Sequence, residues 1–169
     1  MAYREYMVKK QKDAGAIILT VLLYLAAAII SIFAFLILMP IGFGSAVALI
    51  IAGAFYGAYR LSGNTNKEFE YIVTEDIIDV DVIVNKSKRK RLISFNLESV
   101  KVIADINNTQ HKHHLSESFD SVIDATSGRK DKKVYFAIVE KTNRVLVKME
   151  LTEAMLQGLY EISPSKIHI

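Results

Sequence analysis

The sequence predicts an α+β protein: a transmembrane helical hairpin, then a small antiparallel β barrel or sandwich of about seven strands, then one C-terminal helix. Three observations lead there. From Ala14 to Tyr59, about 46 residues, the chain carries no Asp, Glu, Lys, Arg or His, whereas one membrane-crossing helix needs only about 20 apolar residues. Beyond residue 67 the pattern changes to short segments that alternate large apolar with polar residues, the period of half-buried strands. Near the end, "LTEAMLQGLYEIS" places Met155, Leu156, Leu159 and Ile162 on one helical stripe, with Thr152 as N-cap and Pro164 just beyond.

A single helix over the apolar stretch would run roughly 69 Å, more than twice the roughly 30 Å hydrocarbon core. The break falls at "MPIGFGS", where Pro40 cannot donate to a helix ladder and Gly42 and Gly44 accept turn conformations. Two spans are expected, Ala14 to Met39 and about Ile41 to Tyr59, joined by a short uncharged turn. The cations ahead of the first span also suit a secretory signal, but the apolar region of such a signal runs only about 7 to 15 residues. An uncleaved anchor is the better reading. Lys9, Lys10 and Lys12 before the first span, with Arg60 and Lys67 after the second, predict that both termini are cytoplasmic and that the protein is multi-pass in the cell membrane. Tyr3, Tyr6, Tyr56 and Tyr59 fit an aromatic belt on that side. The absence of Cys agrees with a reducing compartment. With no ionisable group inside the spans, nothing suggests a proton relay or an ion path, and the hairpin reads as an anchor. The domain organisation is then a cytoplasmic N-terminal segment at 1–13, the hairpin at 14–60, a linker at 61–67 ("LSGNTNK") and a cytoplasmic domain at 68–169.

Small residues recur at helical spacing in the second span, Gly53 with Gly57 and Ala54 with Ala58 among them. In lipid such residues let backbones approach closely. Gly53 and Gly57 are expected to pack against the first span, with homo-oligomerisation as the alternative.

In the domain, "FEYIV" and "IIDVDVIV" flank "TED" as two strands with a tight turn. Asp79 and Asp81 share one face of the second strand and read as its wet side. "RLISF", "VKVIA", "SVIDA", "VYFAIVE" and "RVLVKME" supply the other strands. A barrel or sandwich plugged by the terminal helix hides strand edges and helix stripe together.

The run "NKSKRKRL" carries Lys86, Lys88, Arg89, Lys90 and Arg91. Residues 1–60 hold five basic and two acidic groups, while residues 61–169 hold 16 of each, so the net charge of +3 belongs to the membrane part. A neutral domain without aromatic residues in its basic run is poor material for binding nucleic acid. The first strand leads away from the bilayer and the second returns, which brings the five cations back toward the membrane. Near an anionic leaflet each is worth about 1 kcal/mol. Anionic lipid headgroups are the predicted contact, a solvated hairpin tip is the plain alternative, and the "TED" end is left facing the cytoplasm for a protein partner.

The order of strands and one C-terminal helix resembles the pleckstrin-homology-type (PH-like) fold. More closely, "FEYIVTEDIIDVDVIVNKSKRKRLISFNLESVKVIAD" and "VYFAIVEKTNRVLVKMELTEAMLQGLYEISPSKI" resemble an uncharacterised family of short Gram-positive bacterial membrane proteins with a domain of unknown function. The resemblance implies architecture and location and carries no catalytic residues to transfer.

Gly63, Gly128 and Gly158 are too scattered for a phosphate-binding glycine loop, and no G-x-S-x-G elbow, H-E-x-x-H helix or Cys pair occurs. "HKHH", with His111, His113 and His114, lies in a polar stretch that reads as a loop, lacking a further ligand and a fixed scaffold, so no metal and no cofactor is predicted. The sequence points to a membrane-anchored binding or scaffolding protein. The alternatives are a membrane-tethered enzyme, which would need a deep pocket with convergent polar groups, and a membrane-held regulator of nucleic acid.

Overall fold

The computed structural model describes residues 3–168, in two compact units. Lys12–Lys67 forms one, and the chain up to Gln11 together with the chain from Glu68 onward forms the other.

The helical unit contains α1 (Ala14–Leu38) and α2 (Gly44–Gly63). Asp13 caps α1, its carboxylate accepting the Ala16 amide at 2.8 Å, which satisfies one of the helix's free N–H donors. Between the helices Gly42 adopts φ +83°, a conformation that side chains resist. The second helix starts and ends later than the sequence suggests, at Gly44 and Gly63 against about Ile41 and Tyr59. It continues through Leu61–Gly63, where the Ser62 hydroxyl bonds back to the Tyr59 carbonyl at 2.9 Å, so only Asn64–Asn66 remain of the expected seven-residue linker before β2.

Both helices are long and apolar enough to cross a membrane. They pack on each other through buried Ala27, Val47 and Ala58, with the Tyr24 and Phe55 rings 6.4 Å apart. Gly53 and Gly57 lie outside this seam: a Cβ on either would meet nothing within 4 Å among the described residues. The seam uses the Ala54/Ala58 side of α2, one residue round the helix from the glycine pair. Most of the large apolar side chains, Ile17, Leu22, Phe33, Leu36 and Leu49 among them, remain exposed.

The second unit holds nine strands among the described residues: β1 (Arg4–Lys9), β2 (Lys67–Thr74), β3 (Ile77–Val84), β4 (Lys88–Asn96), β5 (Val100–Asp105), β6 (Ser121–Asp124), β7 (Tyr135–Glu140), β8 (Arg144–Met149) and β9 (Ile167–His168). Helix α3 (Glu153–Ile162) lies between β8 and β9. They build two sheets, β1-β2-β3-β4 and β6-β8-β7-β5-β9. Of the expected antiparallel barrel or sandwich the described residues form two separate sheets and no closed barrel, with nine strands against about seven, and the second sheet is mixed: β6 pairs parallel with β8 and β9 parallel with β5. The seven anticipated strands are all present, and the additions are β1 and β9. β1 also corrects the domain limits, because Arg4–Lys9 pairs antiparallel with β2, from Arg4 opposite Val73 to Lys9 opposite Glu68. The N-terminal segment set apart at 1–13 thus supplies the domain's first strand, and the helical unit is an insertion in the connection between two paired strands.

The core lies between the sheets and is closed by α3. Tyr71, Ile78, Val80 and Phe95 from the first sheet, with Ile103, Ala137, Val147 and Met149 from the second, are almost fully buried. Met155, Leu156 and Leu159 add the helix stripe, and Thr152 caps α3 by accepting the Met155 amide at 3.3 Å. A polar bond ties the sheets together, the Tyr71 hydroxyl of β2 donating to the Ala125 carbonyl at 2.5 Å, and within the second sheet buried Glu150 after β8 accepts the amide and hydroxyl of Ser127 after β6 at 2.7 and 2.6 Å. Burial raises the Tyr71 phenol, keeping it a donor. A separate cluster of Val102, Ala104, Phe136, Ile138 and Leu146 lies under Leu115 and Phe119.

Ala58→Leu should overfill the α1–α2 seam at a cost of about 1–3 kcal/mol and lower the melting temperature of the detergent-solubilised chain. Gly57→Ala, facing open space, should leave it unchanged or raise it. Thermal circular dichroism of the two variants separates a seam at Ala58 from one at Gly57.

Candidate functional site

Strand geometry divides the basic run in two. Val84 opposes Lys88, Val82 opposes Lys90, and Asp81 opposes Arg91, with a register shift between Val80 and Asp81. The shift leaves Leu92 without an opposite residue. One extra residue reverses the alternation, so Arg89 and Arg91 share the face of Asp81, opposite the core face from which Ile93 and Phe95 pack. Lys88 and Lys90 share the face of Val82 and Val84. Lys86 lies in the turn, where the Ser87 amide bonds to the Val84 carbonyl at 3.2 Å and Asn85 and Lys86 both take positive φ, 52° and 53°. Two positive φ values characterise the turn whose twist suits a hairpin.

Arg89 and Arg91 are not free cations. Asp81, 2% exposed, accepts the Arg89 Nε–H at 2.6 Å and the Arg91 Nε–H at 2.5 Å. Arg91 also reaches Asp79 at 2.8 Å, and Arg89 pairs with Glu70 on β2. Asp79 and Asp81 do share one strand face, but it is not the wet face that alternation suggests: these carboxylates hold the basic run. Burial pushes the Asp81 carboxyl up, and the bonds from Arg91 and Arg89 outweigh it, so its pKa lies below the ordinary range. Glu70, 4% exposed, goes the other way, raised first by burial and then by the neighbouring Glu5 carboxyl. Glu5 accepts the Tyr3 hydroxyl at 2.7 Å and is held low, chiefly by that bond. Lys86, Lys88 and Lys90 form no ion pair among the described residues. β4 is an edge strand, and lysines there also discourage pairing with another sheet.

The basic run lies at a defined end of its sheet. Lys9 and Glu68 are cross-strand neighbours where the chain leaves and re-enters the unit. β2 runs from that end to the Glu75–Asp76 turn, and β3 returns to Asn85. At the opposite end a cleft of about 200 Å³ is lined by Arg4, Glu75, Gly158 and Glu161, and one of about 400 Å³ by Asp76, Glu98 and Lys166. Gly158 leaves room for the Arg4 guanidinium, which would stand 3.2 Å from a Cβ there.

The histidine stretch is ordered rather than a free loop. The Asp105 and Asn108 side chains accept the Asn107 and Gln110 amides at 2.8 and 3.0 Å, a 3₁₀ turn covers Lys112–Ser116, and Leu115 and Phe119 anchor it on the second sheet. His168 on β9 joins the three histidines of the stretch, its ring centroid 4.0 Å from that of His111. Glu117 accepts from His114 Nδ1 at 2.6 Å and pairs with Arg144. The His114 bond, followed by Arg144, holds its carboxyl at about 2. Glu70, Arg144 and His168 carry no sequence signal, because their partners are distant in the chain, whereas Glu117 stands three residues from its partner His114 and is within reach of a local reading.

Asp81 and Glu70 should respond oppositely to pH. The Asp81 contribution is complete above the unfolded carboxyl value of about 4 and is lost as pH falls through its lowered folded value. Glu70 is stabilising below the unfolded value, and that contribution is lost as pH rises through its raised folded value. Asp81→Asn should therefore cost about 2 kcal/mol at pH 7, narrowing toward pH 3. Glu70→Gln should raise the melting temperature at pH 7 and give no gain below about pH 4. Melting curves of both variants from pH 3 to 8 check the signs.

No curated protein and no solved structure matches the chain. A family described as "Bacterial PH-like domain (DUF6106)" matches residues 2–169, without narrowing the bacteria to Gram-positive ones. The match spans the inserted helical hairpin as well as both sheets and α3, and on this coverage the chain belongs to that bacterial PH-like domain family of unknown function.

Proposed function

We propose that the protein is a membrane-anchored binding or scaffolding module, multi-pass in the cell membrane, whose PH-like domain is held on the cytoplasmic side and contacts anionic lipid headgroups through Lys86, Lys88 and Lys90. The observation that carries the reading is the insertion of two largely unburied apolar helices between paired strands β1 and β2. A core helix of a soluble protein would bury that surface. The Lys9–Glu68 pairing supports a hairpin that returns to its starting side, and the uncharged turn at 39–44 supports that side being cytoplasmic.

Within the basic run the three lysines are the lipid ligands and the two arginines are structural. Each lysine near an anionic surface contributes about 1 kcal/mol, which orients a domain already tethered. The opposite end of the sheet, with Glu75, Asp76, Glu98 and Glu161 around the α3 clefts, then faces the cytoplasm as the docking side for a protein partner bearing basic groups.

Full-length protein in nanodiscs tests the lipid contact. Quenching of a fluorophore on the turn by headgroup-labelled lipid should be strong in phosphatidylglycerol-rich discs, weak in phosphatidylcholine discs, and reduced by Lys86→Gln/Lys88→Gln/Lys90→Gln with the melting temperature kept. Equal quenching in both disc types would remove the lipid role. Separately, a protease added outside spheroplasts should leave a tag after residue 168 intact and cut it only after lysis. Cleavage in intact spheroplasts would overturn the orientation.

A further inference from the structure

All four histidines of the chain gather at one place. His111, His113 and His114 come from the ordered stretch before and within the 3₁₀ turn, and His168 arrives from β9, 54 residues beyond His114 in sequence numbering, where β9 pairs with β5. The His113 and His114 ring centroids are 4.0 Å apart and those of His111 and His114 are 6.0 Å apart. Donor atoms of His113, His114 and Glu117 all lie within 4.8 Å of one another. His111 Nδ1 is buried without a hydrogen-bond partner among the described residues, an arrangement that is costly unless something binds there. This cluster has what the bare "HKHH" motif lacks: a carboxylate ligand, a further imidazole, and a scaffold fixed by Leu115 and Phe119 on the second sheet.

We propose that His113, His114 and Glu117, with His111 as fourth donor, bind a divalent zinc-type cation, and that His168 is a positioning residue stacked on His111. Imidazole nitrogen with one carboxylate oxygen suits zinc among the common divalent ions. Four donors around such an ion stand about 3.4 Å apart at bond lengths of about 2.0–2.1 Å, so the grouped side chains must rotate, and the 2.6 Å His114 Nδ1–Glu117 hydrogen bond must open, for both to turn donor atoms to the ion. Arg144 and Lys101, both beside Glu117, keep the carboxylate ionised and fix its direction, as outer partners of metal ligands do. Calcium and magnesium, which prefer all-oxygen sites, fit this donor set poorly.

The test is calorimetric titration of zinc chloride into the full chain, purified in detergent on a histidine-free tag. One zinc ion per chain at a micromolar or tighter Kd is expected, at least about tenfold weaker in His113→Ala and in Glu117→Gln. Exposed His113 can be replaced without disturbing the core, and circular dichroism verifies that the variant folds. Zinc should also slow amide hydrogen exchange in β9 of the wild type, and that protection should disappear in His168→Ala while binding persists with reduced affinity. Absence of saturable binding would overturn the proposal, as would binding unaffected by both His113→Ala and Glu117→Gln. Magnesium chloride binding as tightly as zinc would overturn the assignment to an imidazole site.

Discussion

The pairing of β1 with β2 is the constraint on which the rest depends. A hairpin usually joins its strands through a loop of two to five residues, whereas here the connection contains two helices of 25 and 20 residues. Because Lys9 and Glu68 are cross-strand neighbours, the chain must leave and return at one point. An even number of membrane-length helices meets that requirement; one helix would not. The short turn around Gly42 and the α1–α2 seam at Ala27, Val47 and Ala58 follow from the same need for two antiparallel helices of similar length.

Electrostatics at the edge of the first sheet follows a different logic from that of a charged tail. A carboxylate taken out of water is tolerated when its bonds are replaced, and Asp81 receives two from guanidinium groups whose outer sides remain wet. Arginine suits this role better than lysine, because its planar fork can bond one acid through Nε and a second through a terminal nitrogen, as Arg91 does with Asp81 and Asp79. The neighbouring lysines, compact and strongly hydrated, remain on the water-facing part of the strand. One run of five cations thus contains a structural pair and three lysines without an ion pair among the described residues.

The sequence exposes the elements whose signals are local. The apolar stretch, the seven alternating segments, the Thr152 cap and the α3 stripe all coincide with the structure because each depends on residues close together in the chain. β1 is hidden because "REYMVK" borders an apolar run and reads as its charged flank, its partner lying some 60 residues away. The two-residue β9 is too short to carry any period. The bulge at Leu92 is the costliest omission: uninterrupted alternation from Phe95 and Ile93 would turn Arg89 and Arg91 toward the core and separate them from Asp81. The histidine cluster is half legible, since "HKHH" and Glu117 three residues on are local, while His168 and Arg144 join them only through the second sheet.

The position of β1 also matters during synthesis. Its six residues leave the ribosome before both helices and β2, so they have no partner until Thr74 has followed. If the helices enter a bilayer during that interval, insertion of only one of the two leaves β1 and β2 on opposite faces, and the first sheet cannot close. Closure of the sheet would then report that both helices had crossed, and a half-inserted chain would expose an unpaired β2 edge.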